Sequence, residues 1–333
     1  MKSELKKRVF NIVCTVVSTV LLSMLFIHYY NVQENKVGIF VNIKLYMFFM
    51  IALSLFLGWM LSVSACEFKQ VVKFLNITFK NTTLIKTLSK NDFKNKFASS
   101  YLGIVWGFIH PLVTIIVYWF VFQVAFKQES IGNIPYIIWF ICGIIPWFFF
   151  SESFPSTSNV FLEYSYLVKK VVFKIEVLPA VKIIAALFVH AFFILFIYLI
   201  TSLYGIKPDL YTIQFVYYSG AMIIFVYAVS IFTSSVILFF RDLGQIISVI
   251  LSVGFWFTPI GWRLTAVPEW ARIVFKLNPL YYIVVGYRDA FVDKIFFWQR
   301  PYLTLYFWLV CFTILCLGVK MFNKLKPHFS DVI

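Results

Sequence analysis

Acidic residues are scarce in this chain: 14 Asp and Glu stand against 29 Lys and Arg in 333 residues. Histidine (4) and cysteine (5) are scarcer still, and only 13% of residues are charged. Each shortage removes a class of function. Cys14, Cys66, Cys142, Cys311 and Cys316 form no CxxC pair and lie within or at the ends of apolar runs, so neither a disulfide framework nor a thiolate metal site is implied. His28, His110, His190 and His328 are too widely separated for metal-ligand spacing. No Gly-Lys dipeptide occurs, so the GxxxxGK[ST] phosphate loop is missing, and any ATP-driven work needs a nucleotide site on another polypeptide.

What the chain has in excess is apolar surface: 62% of residues are hydrophobic, 21% are aromatic, and the mean hydropathy is +0.88. That is the composition of an all-α polytopic membrane protein. The net charge of +15 would suggest nucleic acid in a soluble protein. Here the basic residues sit mainly between apolar runs, where they set orientation and meet anionic lipid, so nucleic-acid binding is not expected.

Hydropathy predicts eight spans, at about 9–30, 45–66, 104–126, 134–162, 181–204, 211–240, 245–260 and 302–322. The first follows MKSELKKR and resembles a signal peptide, but its apolar run is long and no clear cleavage site follows, so it reads as a retained span. An even number of spans puts both termini on one side. Lys2, Lys6, Lys7 and Arg8, the lysines from Lys69 to Lys96, then Lys169, Lys170, Lys174, Lys182, Arg241, Lys320, Lys324 and Lys326 all share that side, which is therefore expected to be cytoplasmic. The segment 261–300 is too charged to span and too aromatic to be a free loop. Amphipathic helices at, or dipping into, the outer interface are expected there.

The chain turns on the stretch from Thr83 to Pro111, where Lys86, Lys90, Lys94 and Lys96 run straight into an uncharged segment beginning at Tyr101. Leu84, Ile85 and Leu88 share a helical face, whereas Phe93 and Phe97 point elsewhere, which predicts two short helices broken at Ser89-Lys90-Asn91-Asp92. The plain alternative is a positive flank obeying the orientation rule. Gly103 and Gly107 form a GxxxG pair that would permit close helix approach.

Few groups could carry chemistry. His110 could act as base in a membrane acyl- or glycosyltransferase, but no neighbouring carboxylate orients it, and packing is the simpler role. Glu152, in FFFSESFPST, reads either as an intramembrane proton or cation site or as a carboxylate reached by water near a span end. Aromatic residues, among them Trp106, Tyr118, Trp119, Phe122, Trp147, Phe148 and Trp256, form either an interfacial belt or a lining that stacks on sugar rings.

Five stretches, in order, resemble the membrane subunit of ABC-2 type exporters of lipid-linked polysaccharides, most closely the wall teichoic acid translocation permeases. They are YLGIVWGFIHPLVTIIVYWFVF from Tyr101, IPYIIWFICGIIPWFFF from Ile134, LVKKVVFKIEVLPA from Leu167, Arg241-Asp242-Leu243, and KLNPLYYIVVGYRDAF from Lys276. The resemblance covers roughly residues 83–322. It implies a six-helix permease over 103–322, acting as a homodimer with two copies of a separate ATPase that binds ATP and Mg, and with no cofactor on this chain. It further implies a membrane-surface helix within 67–102, an ATPase-coupling segment at 163–182 that includes Lys169, Lys170, Phe173 and Glu176, an outer re-entrant segment at 261–300, and a cytoplasmic tail at 323–333.

By the same resemblance the chain is a transport subunit of a bacterial cytoplasmic membrane rather than an enzyme. It would export an undecaprenyl-linked, teichoic acid-like glycopolymer through a path between two copies, lined partly by the aromatics named above. O-antigen, capsule, lipid or drug are the alternative cargoes. Lys94, Lys96, Gly103 and Arg241 are then candidates to meet the pyrophosphate headgroup. Two features depart from the family pattern: residues 1–66 add a two-helix hairpin, and Lys174 stands where many relatives have proline.

Overall fold

The computed structural model describes residues 67–96, 98, 100–127, 130, 134–170 and 173–332, and the expected hairpin 1–66 lies outside them. The described chain is almost entirely helical. Five of its helices are long and apolar enough to cross a membrane: Gly103–Ala125, Tyr136–Ser158, Ile175–Leu203, Gln214–Ile237 and Pro301–Val332. They fall on five of the expected spans. In the place of another stands a helix of 15 residues, Leu243–Phe257, which at 1.5 Å per residue reaches only about 22 Å.

We name the helices α1 (67–80), α2 (Thr82–Lys96), α3 (Trp106–Trp119), α4 (Tyr136–Ser158), α5 (Leu178–Leu203), α6 (Gln214–Ile237), α7 (Leu243–Phe257), α8 (Glu269–Lys276), α9 (Pro279–Arg288) and α10 (Pro301–Leu325). The core is the bundle of α4, α5, α6 and α10, with α9 inserted between α4 and α6. Helix α4 is buried on nearly every side despite Pro146 and Pro155 within it. Several interior hydroxyls are satisfied: Ser158 Oγ meets Thr233 Oγ1 on α6 at 2.7 Å, and Thr157 donates back to the Ser153 carbonyl at 2.6 Å.

The stretch from Thr83 does not form two helices broken at Ser89–Asp92: it lies in one continuous helix, α2, and the break from α1 comes before it, at Asn81. Ser89 is fully buried, and its hydroxyl donates to the Ile85 carbonyl at 2.7 Å, so it serves inside a continuous helix and leaves no cap free. Phe93, off the Leu84 face, finds its own partner in Phe188 of α5, with ring centroids 5.2 Å apart. One helix thus packs two faces, which a one-stripe reading misses.

Gly103, in the turn just before α3, has φ 54°, and a Cβ there would meet nothing within 4 Å. Within the single chain its requirement is the left-handed turn that leads from α2 into the span Gly103–Ala125.

Candidate functional site

Residues 276–291 show how a short run seats the segment 261–300, expected from its sequence to be re-entrant. Asn278 caps α9, accepting from the Leu280 N–H at 3.0 Å, and its amide donates to Thr258 Oγ1 at 2.8 Å. Pro279 takes the first helical position. At Gly286 an added Cβ would lie 2.0 Å from the Tyr218 ring, so only glycine lets α9 approach α6.

Arg288 then turns into the interior, 4% exposed. It donates to three carbonyls, those of Pro259 (2.8 Å), Ile260 (2.7 Å) and Trp139 (3.3 Å), and its guanidinium carbon sits 3.4 Å from the centre of the Trp139 ring. Gly143 makes room for it, since a Cβ there would be 2.6 Å from Nη2. Asp289, fully buried, takes a two-pronged bond from Arg300 at 2.6 and 2.8 Å. The segment carrying α9 is therefore bolted to α4 and to the start of α10.

A second polar cluster lies where α2 meets the expected coupling segment. Lys182, 8% exposed on α5, bonds Asp92 of α2 at 2.8 Å and Glu163 at 2.5 Å. The Tyr164 hydroxyl donates to the same Asp92 at 2.7 Å. Burial, and then that bond to Asp92, pushes the Tyr164 phenol above its ordinary range. Two one-turn helices, Val160–Glu163 and Ser165–Val168, followed by the turn Ile175–Val177, give the segment its bent course. Lys169 and Lys170 are exposed on it, and Phe173 is half-buried against Val177, Val181 and Ile85. Glu176 points inward, buried and paired with Lys326 at 2.6 Å.

No hydrogen bond or ion pair joins the candidate headgroup residues to one another among the described residues. Lys96 pairs with Glu152, which places that carboxylate beside the surface helix, and Lys94 is exposed at the end of α2. Arg241 is exposed in the turn between α6 and α7. Neither Lys94 nor Arg241 makes a side-chain hydrogen bond or ion pair among the described residues.

The aromatic set divides in three. Phe122 and Trp147 are core residues, 8% and 6% exposed. Tyr118 and Phe148 are half-buried, Tyr118 stacked on Phe255 of α7 at 5.2 Å. Trp106, Trp119 and Trp256 are exposed on α3 and α7. Those two helices share a further property. Along α7, Gln245, Ser248 and Ser252 are exposed in line with Trp256, and His110 is exposed on α3. Beside that row α7 also exposes Ile246, Val249, Ile250 and Val253, and the exposed face of α5 carries Phe188, Phe192, Leu195 and Leu199.

A profile of the ABC-2 type transporter family matches residues 83–292. The chain belongs to that family. It is 28% identical over 251 residues to an O-antigen export system permease protein RfbA of Klebsiella pneumoniae, covering 75% of this chain and 95% of that protein. It is 24% identical over 265 residues to a protein of the same name from Myxococcus xanthus, covering 79% of this chain and all of that one. The chain is thus a membrane-embedded transporter subunit.

Lys182, Arg288 and the Asp289–Arg300 pair carry the most specific geometry, and sequence reading gave them no role beyond charge. The available signal at Lys182 was a lysine only a turn inside an apolar helix, a position that demands a partner. At Arg288 it was a cation following the uninterrupted run Leu280–Val285.

Proposed function

We propose that this chain is the permease of an ATP-driven exporter that moves a polyprenyl-pyrophosphate-linked polysaccharide out of the cytoplasm. Two copies form the path between their α3 and α7 faces, and two copies of a separate ATPase, carrying ATP and Mg, dock on 163–182. The observation that carries this reading is the row Gln245, Ser248, Ser252 and Trp256, exposed on a helix too short to cross a bilayer alone. A lipid-facing surface is apolar, as the face of α5 with Phe188, Phe192, Leu195 and Leu199 is, whereas α7 carries this polar row beside exposed Ile246, Val249, Ile250 and Val253. A polar, aromatic-ended row suits water and sugar: Ser248 and Ser252 donate to the Gly244 and Ser248 carbonyls at 3.2 and 3.0 Å, which leaves oxygen lone pairs to accept from a polysaccharide.

The missing phosphate loop supports a separate ATPase, and the exposed Lys169, Lys170 and Tyr166 supply a cationic, aromatic docking patch. The distribution of lysine supports placing that patch, and both termini, on the cytoplasmic side of a bacterial inner membrane. The names of the relatives favour an O-antigen-type glycan. The resemblance of the quoted stretches favours a teichoic acid-type polymer, and the shared chemistry is the polyprenyl pyrophosphate.

The test is purification of the tagged chain from its native membrane in mild detergent, followed by ATP turnover with each lipid-linked glycan added. A stoichiometric phosphate-loop ATPase whose turnover rises with one glycan class supports the reading and names the cargo. A well-folded chain that brings no ATPase in any of several detergents overturns it. A membrane transferase would then be sought at His110, where His110→Ala should abolish an enzyme but only modestly slow a permease.

A further inference from the structure

On the side of the bundle that carries α1 and α2 lies a cavity of about 350 Å³. It is walled by Leu75 and Ile85 of the surface helices, Ile183 and Ile184 of α5, Ile223 of α6 and Leu315 of α10. Its polar edges are few. Thr78 and Tyr227 satisfy each other, hydroxyl to hydroxyl at 3.0 Å, which leaves a dry apolar wall. Lys86 stands at the rim, exposed, and makes no ion pair among the described residues. None of the lining residues belongs to α3 or α7.

Depth and charge say what fits. Ile183 and Ile184 lie near the start of α5, on the same face as α2, whereas Ile223 lies in the middle of the 24-residue α6. The cavity therefore runs from the membrane surface to mid-bilayer, the reach of one leaflet's hydrocarbon. Its volume exceeds twice the roughly 150 Å³ of an apolar cavity that takes up benzene. At the mouth, Lys86, with Lys80 and Lys90 exposed on the same two helices, offers cations at headgroup level.

We infer that this cavity holds one acyl chain of an anionic phospholipid from the leaflet on which α1 and α2 lie, with the lipid phosphate beside Lys86. This rests only on the chain being embedded in a membrane and not on the identity of its cargo. The acyl chain fills the joint between α1–α2 and the bundle, and the same α2 carries Asp92 to Lys182. Lipid occupancy therefore braces the junction between the surface helices and the coupling segment.

Native mass spectrometry of the full chain in mild detergent, with phosphatidylglycerol or phosphatidylcholine added at equal concentration, tests this. One phosphatidylglycerol should be retained in preference. Ile184→Trp, which fills the cavity, should weaken that retention at least about tenfold, and Lys86→Ala should erase the preference for the anionic lipid. Leu199→Trp, on the lipid-facing side of α5, should change neither. Because Ile184→Trp could disturb folding, a photoreactive residue at the exposed Phe79 gives an independent reading, expected to label phospholipid.

Equal retention in Ile184→Trp and Leu199→Trp overturns the inference. So does a Phe79 crosslink to a peptide from residues 1–66, which would make the filler part of the chain itself. Displacement of phosphatidylglycerol by an equimolar polyprenyl phosphate would also overturn it, and would make the cavity a substrate site.

Discussion

The spans Gly103–Ala125 and Tyr136–Ser158 have the same length, 23 residues, and 18-residue stretches within them have mean hydropathies of 2.0 and 1.7, yet 6% of the first stretch and 78% of the second is buried. The more apolar helix is the less buried. Hydropathy reports the transfer from water and is blind to whether the new neighbour is lipid or protein. Packing follows other features. Helix α4 has Gly143, which admits Arg288, and the hydroxyls of Ser153, Thr157 and Ser158, which bond within and between helices. The α3 span offers its surroundings Val113, Ile116, Val117, Phe120 and Val124, side chains content in lipid or against a second copy.

The sharpest way to break the packed side is through Arg288. Arg288→Ala strands the carbonyls of Trp139, Pro259 and Ile260 in a dry interior and opens a hole beside the Trp139 ring. The cost is about 3–5 kcal/mol, enough to lose the monodisperse peak in detergent chromatography. Arg288→Lys should not restore it, since one ammonium cannot reach three carbonyls and lie flat on the indole. Wild-type thermal stability in Arg288→Ala would show that the seat of α9 does not depend on this cation.

A matched pair of truncations measures the contrast directly. Ile144→Ala, at a fully buried position of α4, should cost about 2–5 kcal/mol. Ile116→Ala, at a site 61% exposed on α3, should stay within about 0.5 kcal/mol for the single chain. Thermal melts of the two variants in the same detergent decide it. A loss at Ile116 approaching that at Ile144 would mean that another protein surface already covers α3.

The polar joint between α2 and the bundle is next in size. Lys182→Met and Asp92→Asn, singly and together, form a double-mutant cycle for a pair whose side chains are 8% and 13% exposed. A coupling of about 1–3 kcal/mol is expected. In the assembled exporter these variants should also lower the stimulation of ATP turnover by substrate more than the basal rate. A coupling near zero would reduce the joint to an ordinary interfacial contact.

Much of this was legible from composition and pattern: a helical membrane chain, the places of five of the expected spans, and helix in the basic stretch before Gly103. The break at Asn81 was not, because α2 packs two faces and its Ser89 bonds inside the helix, so stripe and capping signals both mislead. Nor was the division of the aromatics, since Phe122 and Trp256 look alike in sequence, and only packing against Tyr136, Phe140 and Gly261 buries the first while the second stays exposed on α7. Pairings such as Lys182 with Asp92, or Arg288 with Trp139, join residues far apart in the chain, and hydropathy carries no information about them.

At the rim of the packed side, Asp209 in the loop after α5 meets Lys294 Nζ at 2.7 Å, and its carboxylate also accepts from the backbone N–H and the hydroxyl of Thr212 at 3.1 and 3.0 Å. Lys294 itself sits in the left-handed region at φ 53°, ending the wide turn that follows Arg288. Burial works against ionisation of Asp209, but the bonds from Lys294 and Thr212 outweigh it and hold the carboxyl below its ordinary value. A carboxylate so depressed contributes fully above the ordinary range and loses its contribution as pH falls through the folded value. With the Asp209 side chain 29% and Lys294 48% exposed, water and salt screen the pair. Asp209→Asn should therefore cost only about 0.2–1 kcal/mol near neutral pH. Melting curves of the two proteins, separate at pH 6, should converge as the pH drops toward 3, and raising the salt at pH 6 should narrow the gap. A gap that persisted unchanged at pH 3 would mean that Asp209 acts through its shape and its bonds to Thr212, with the charge of Lys294 immaterial.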